Sequence, residues 1–155
     1  MQTILLTKGQ VTIVDDADFS ILNSFKWHLS NPCNSFYATT NYKNKKISMH
    51  RFIMSPPKGM EVDHINGNGL DNRRGNLRIC TRSENHQNSK TYCTRVSTLK
   101  GFYFDKGKKQ FRGRIKVNGK QLDLGYFDNM EEAAKAYNEA AIKYFGKFAR
   151  LNNII

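Results

Sequence analysis

The stretch from Val62 to Asn88 concentrates this chain's capacity for chemistry. Val62-Asp63-His64-Ile65-Asn66-Gly67-Asn68 is followed by Asp71-Asn72-Arg73, then by Asn76-Leu77-Arg78, then by Ser83-Glu84-Asn85-His86-Gln87-Asn88. Asp63 offers a hard oxygen to a divalent cation, and the His64 imidazole beside it can take up a proton near neutral pH. Asn85 can supply a second oxygen ligand from a following helix. The turn formers Asn66-Gly67-Asn68-Gly69 let the chain reverse between the Asp-His pair and the rest of the set. An Asp-His pair alone is more often a surface turn with a capping role. The full set points instead to a one-metal site for phosphodiester hydrolysis.

Composition agrees with a polyanionic partner. The chain has 155 residues and a formal charge of +12, from 25 Lys+Arg against 13 Asp+Glu. Nucleic acid is the default partner for such an excess. Residues 1–92 carry 12 basic and 7 acidic side chains, and residues 93–155 carry 13 and 6, so the shorter part is the more basic. Cys33, Cys80 and Cys93 contain no Cys-x-x-Cys pair and read as reduced thiols rather than a disulfide frame or zinc knuckle. The N-terminal apolar run is too short for a signal peptide, and no stretch reaches membrane-spanning length. The expected location is the cytoplasm, with no membrane partner.

The elements that must position these residues fall into an α+β organisation. Residues 1–48 read as a small β-rich segment: Val11-Thr12-Ile13-Val14 is one strand, Phe19 to Leu22 begins a short helix capped by Asp18, and strands at Phe25–Leu29 and Phe36–Thr40 flank an Asn31-Pro32 turn. Lys43-Asn44-Lys45-Lys46 forms a basic hairpin tip, solubilising or phosphate-binding. Trp27 is expected in the core, with base stacking as the alternative. Residues 49–92 form a second module. There His50 to Met54 is a short helix stopped by Ser55-Pro56-Pro57, Met60 to Asp63 and Asn76 to Ile79 are paired strands, and Thr81 or Ser83 caps a helix carrying Asn85. Residues 93–97 are a linker within the polar run from His86 to Ser97, which includes Lys90, Thr91, Thr94 and Arg95.

Residues 98–155 follow a different pattern. Phe111, Gly113, Ile115 and Val117 alternate with Arg112, Arg114 and Lys116, so one strand face is apolar and the other cationic. Asn118-Gly119 is a hairpin turn, and Gln121 to Phe127 is the returning strand. Asp128 or Asn129 caps a helix with Glu131 and Glu132 in its first turn, an alanine-rich stripe along one side and Gly146 at its end. The cationic face, flanked by Lys100, Tyr103, Lys108, Lys109 and Lys120, suits phosphates and base edges.

Two resemblances follow. Asp63-His64, Asn76 and Asn85 resemble the HNH endonuclease motif, in the phage- and intron-type variant whose last metal ligand is Asn. That resemblance implies a ββα-metal module in which Asp63 and Asn85 hold the ion and His64 is the general base. Asn76 braces the loop and orients the imidazole, and the products are a 5′-phosphate and a 3′-hydroxyl. The ion is expected to be Mg²⁺, with Mn²⁺ also suited. Arg73, Arg74 and Arg78 are candidate phosphate clamps. Asn88 and Arg51 are additional candidates, and His50 is expected to be structural. The second set is Leu99 to Tyr103, Phe111 to Ile115, Leu124 to Phe127, Glu131 to Tyr137, Ala140-Ala141 and Gly146 to Asn152. It resembles the Apetala-two/ethylene-response-factor DNA-binding domain. That implies a three-stranded antiparallel sheet laid into the major groove and backed by one helix, with Lys100, Tyr103, Arg112, Arg114 and Lys116 facing the groove. Tyr103, Asp105 and Asp123 depart from that family's contact pattern, so the binding mode carries over and the base code does not. Together the resemblances imply a homing-type endonuclease acting on double-stranded DNA as a monomer. The rival reading is a non-catalytic DNA-binding regulator that keeps a nuclease fold.

Overall fold

The computed structural model describes residues 1–32, 35–89 and 99–154. Cys33, Cys93, the 93–97 linker and the polar residues Lys90, Thr91, Thr94 and Arg95 lie outside the described residues. The chain divides into two compact units, Met1–His86 and Gln87–Ile155.

In the first unit, β1 (Gln2–Leu5) pairs antiparallel with β2 (Val11–Val14). The helix expected from Phe19 begins earlier, as α1 (Asp16–Asn23), with Asp15 at the N-cap. Asp16 and Asp18 both lie in its first turn, where carboxylates suit the helix dipole, and the Asp18 side chain is engaged by Arg74 rather than capping. A second sheet runs β3 (His28–Ser30), β4 (Tyr37–Tyr42) and β5 (Lys45–Ser48), all antiparallel. Lys43 and Asn44 form its turn, while Lys45 and Lys46 already belong to β5. Next come α2 (Met49–Met54), closed by Ser55 in the left-handed region, then the hairpin β6 (Glu61–His64) and β7 (Leu77–Cys80), then α3 (Arg82–Gln87).

The hairpin has too little apolar surface to hold itself, since a two-stranded ribbon is marginal in water. It contributes Val62 and Leu77 to a core shared with Ile4, Val14, Leu22 and Trp27 from the N-terminal segment. Trp27 is 1% exposed, and its indole N–H donates to the Leu22 carbonyl at 2.8 Å. The N-terminal strands also grip the loop between β6 and β7. Ile13 N donates to Leu70 O, and Asn72 N donates to Ile13 O.

In the second unit, β8 (Phe102–Asp105), β9 (Gln110–Val117) and β10 (Lys120–Phe127) form an antiparallel sheet in the order β10-β9-β8. Asn118 and Gly119, at φ 49° and 81°, make the expected turn. A bulge at Asp123/Gly125 shifts the β9–β10 register. α4 (Met130–Phe145) packs on this sheet through Tyr137, Ala140 and Ala141 against Ile115. Asn129 is its cap, accepting from Glu132 N at 2.9 Å. Gly101 sits at φ +90°, and a Cβ there would come within 1.9 Å of the Tyr137 ring. Among the described residues, no helix is long and apolar enough to cross a membrane.

Candidate active site

The pleat of β6 sends Glu61 and Asp63 to one face and Val62 and His64 to the other. Asp63 and His64 are both buried, at 6% and 5% exposure. Asp63 lies opposite Arg78 in the ladder, and the Arg78 guanidinium grips its Oδ2 through Nε at 2.9 Å and Nη2 at 2.6 Å. Glu61 lies opposite Cys80. One turn later Asn85 reaches back from α3, its Nδ2 donating to Glu61 Oε2 at 2.6 Å. The start of α3 is fixed by a capping box: Thr81 Oγ1 accepts from Glu84 N at 3.2 Å, and Glu84 Oε2 accepts from Thr81 N at 2.7 Å. Thr81, rather than Ser83, is therefore the cap. Burial, with the nearby charges of Asp63, Glu61 and Glu84, pushes the Cys80 thiol up to about 11. The same negative field favours a cation.

His64 faces an aromatic cluster. Its ring centroid lies 4.9 Å from that of His50 and 5.9 Å from that of Tyr37. Its Nε2 is 3.3 Å from Asn72 Oδ1. The Asn72 Nδ2 donates to Thr12 Oγ1 at 2.7 Å and to Gly69 O at 3.4 Å, so the Oδ1 facing His64 is an acceptor. Neutral His64 then carries its proton on Nε2 and its lone pair on Nδ1. Burial holds the His64 pKa below the usual histidine value, opposed by the Asn72 contact and by Asp63 and Asp71. A low value keeps the imidazole neutral and able to accept a proton at neutral pH. His50 is pushed down to about 3, first by burial and then by the neighbouring His64 and Arg51.

Asn76 staples the intervening loop. Its Oδ1 accepts from Asn66 N at 3.0 Å, and its Nδ2 donates to Asn66 Oδ1 at 3.1 Å and Asp71 O at 2.8 Å. Asn76 thus ties Asn66 to Asp71, while the amide at the imidazole is that of Asn72. Sequence reasoning did not single out Asn72. Nothing local marks it, because its partner Thr12 is 60 residues away. Glu61 was also passed over, although its position two residues before Asp63 on a strand puts it on the same face.

The arginines expected to clamp phosphate each hold a carboxylate of this unit: Arg73 pairs with Asp71, Arg74 with Asp18, and Arg78 with Asp63. Arg51 Nη1 donates to Met60 O at 3.2 Å, fixing the approach to β6. Asn88, just past α3, is buried at 7% exposure.

In the second unit, the face of β9 away from α4 carries Arg112, Arg114 and Lys116. Arg114 lies over Tyr103, with 5.0 Å to the ring centroid, and Lys108 over Tyr126 at 3.8 Å. Arg112 also lies over Tyr126, at 5.2 Å, and it pairs with Asp123. The Lys100 ammonium instead donates to Gln87 O at 3.0 Å and Ser89 O at 2.8 Å, and burial pushes it down to about 8. Lys109, at φ 55°, is in the β8–β9 turn, and Lys120 opens β10.

Comparison with known proteins matches one segment to a family and nearly all of the chain to a relative. Residues 55–87, from the turn before β6 to the end of α3, match a family model described as HNH endonuclease. Over 153 residues the chain is 29% identical to an uncharacterized HNH endonuclease of Acanthamoeba polyphaga mimivirus, covering 95% of this chain and 77% of that protein. It is also 37% identical over 94 residues to Protein 3.8 of Escherichia phage T7, covering 61% of this chain and 77% of the relative.

The chain carries an HNH endonuclease domain at residues 55–87.

A shorter likeness, 47% identity over 48 residues, links the chain to the "SPbeta prophage-derived putative HNH homing endonuclease YosQ" of Bacillus subtilis (strain 168). That stretch covers 31% of this chain and 28% of YosQ. No solved structure matches the chain. The matched segment includes Asp63, His64, Asn76 and Asn85. The C-terminal sheet and helix lie outside it. Among the described residues, no three His, Cys, Asp or Glu side chains gather as a metal-holding group. An ion at this site would rely on carboxylate and amide oxygens, with water and substrate phosphate completing its shell, as suits Mg²⁺.

Proposed function

We propose that the chain is a divalent-metal-dependent, homing-type DNA endonuclease that cuts phosphodiesters to 5′-phosphate and 3′-hydroxyl ends. The observations that support this reading are that β6 carries Asp63 next in sequence to a buried His64 of defined tautomer, and that Glu61, on the Asp63 face, bonds Asn85 of α3. Asp63 and Asn85 would hold the ion. Hard oxygen donors in a negative field fit such a cation. When bound, it neutralises charge developing on the phosphoryl group and on the departing 3′-oxygen.

The chain's own residues do the rest. His64 takes a proton from the attacking water at Nδ1, while Asn72 holds the opposite ring nitrogen and so fixes the tautomer. Asn76 keeps the loop beyond His64 closed on itself. Because Asp63 and His64 lie on opposite faces of β6, the scissile group sits at the strand's end, where both can be approached.

The C-terminal sheet serves as the DNA reader, as its resemblance to the Apetala-two/ethylene-response-factor domain implies. Arg112, Arg114, Lys116 and Lys108, interleaved with Tyr103 and Tyr126, combine phosphate-binding charge with planar groups able to meet bases. Lys100 has the weaker case, since its ammonium is already committed to two carbonyls.

The test is incubation of the purified chain with supercoiled plasmid and phage genomic DNA, with Mg²⁺, with Mn²⁺ and with EDTA. Metal-dependent nicks that are ligatable without prior phosphorylation support the reading. DNA binding without cleavage under every metal condition would favour the regulator.

A further inference from the structure

We propose that Glu61 is a positioning residue of the ion site, fixing the Asn85 side chain so that the amide presents oxygen, not nitrogen, to the cation. This rests on the ion-site reading above and adds a residue to it.

A side-chain amide is nearly symmetric in shape, and its two orientations differ little unless a neighbour discriminates between them. An ion needs the oxygen. The Asn85 amide has Glu61 Oε2 at 2.6 Å, and an ionised carboxylate only accepts hydrogen bonds. The Nδ2 must therefore face Glu61. The reversed amide would set its own oxygen against a carboxylate oxygen at that distance, acceptor against acceptor. Charge-assisted contacts of this kind are about twice as strong as neutral ones, so the preference is firm.

The backbone supports the contact from both ends. Glu61 begins β6, two residues before Asp63 on the same face, and it pairs with Cys80 at the end of β7. Two residues after Cys80 the chain enters α3, where Asn85 N donates to Thr81 O at 3.0 Å behind the capping box. Strand and helix are thus locked at the point where Glu61 and Asn85 meet. Residues that orient metal ligands in this way typically change affinity by about 10–100-fold when removed.

The experiment titrates the full chain with Mn²⁺ alone, without DNA, and follows free Mn²⁺ by its electron paramagnetic resonance signal. Metal-free thermal melts confirm that each variant is folded. Glu61→Ala weakens Mn²⁺ binding by about tenfold or more. Glu61→Gln keeps an oxygen that can accept from Nδ2 and loses much less. In an Asn85→Asp background, where either arm presents oxygen, Glu61→Ala costs nothing and relieves a carboxylate repulsion. Equal losses in Glu61→Gln and Glu61→Ala would overturn the proposal and make Glu61 a direct ligand. Wild-type affinity in Glu61→Ala would overturn it outright. Unchanged Mn²⁺ binding in Asp63→Ala would remove the ion site itself, and the proposal with it; that failure is seen without touching Glu61.

Discussion

Replacing Asn72 with alanine tests how far the active site depends on a contact made across the first unit. Asn72 is 0% exposed and bridges Thr12 of β2 to His64 at the end of β6. Truncation leaves the Thr12 hydroxyl and the His64 ring nitrogen without this partner in a buried site. Each such loss costs about 1–3 kcal/mol. Thr12 keeps its own bond to Leu70 O at 2.8 Å, which places it at the lower end of that range. The expected loss is therefore about 2–4 kcal/mol, read as a shift of the urea midpoint with an unchanged slope. Thr12→Val should couple to Asn72→Ala in a double-mutant cycle by roughly 1 kcal/mol, the usual size for a shared hydrogen bond. Cleavage should fall further than stability explains, because His64 loses what fixes its tautomer. A loss below about 1 kcal/mol, with no coupling to Thr12, would refute the reasoning.

Three further outcomes are expected. His50 has a folded pKa near 3 against an unfolded value near 6.5, so the unfolded state binds more protons between those limits. Stability is then fully present above pH 6.5 and falls as the pH drops toward 3; wild type should lose about 2 kcal/mol more than His50→Phe between pH 7.5 and pH 5, measured by urea unfolding at each pH. Gly101→Ala should destabilise the second unit by about 2–4 kcal/mol, since the new methyl meets Tyr137 on a backbone at positive φ; hydrogen exchange of the β8–β10 amides would show the loss. Asp123→Asn releases Arg112, so if the sheet contacts phosphates, DNA affinity should rise and the slope of log affinity against log salt should steepen by up to about one unit in fluorescence anisotropy; an unchanged slope would argue against that face.

What could be read from the sequence was what local pattern encodes. The alternation of Phe111 to Val117, the Asn118-Gly119 turn and the alanine stripe specify a hairpin with a helix on one side, because each signal is complete within a few residues. The Asp63-His64, Asn76 and Asn85 set lies within one matched segment, residues 55–87, and its roles rest on resemblance rather than on local pattern. The pairings were not legible. Arg74 with Asp18, Asn72 with Thr12 and His50 against His64 join segments that only the fold brings together, and the types involved are equally at home on a solvated surface. Arg112 with Asp123 is intermediate. The turn at Asn118-Gly119 puts Asp123 opposite Arg114, and the bulge that follows lets it pair with Arg112 instead. That the hairpin needs outside apolar surface follows from its size, but which side chains supply it, Ile4, Val14 and Leu22 among them, was hidden.

The most direct test compares wild type with His64→Ala on supercoiled plasmid in Mg²⁺, at protein concentrations where anisotropy shows both to be equally bound. The account predicts metal-dependent nicks with 5′-phosphate ends from the wild type and a rate at least about 100-fold lower from the variant, the usual share of a general base. Equal cleavage by both proteins, or binding by both with no cleavage by either, would contradict it.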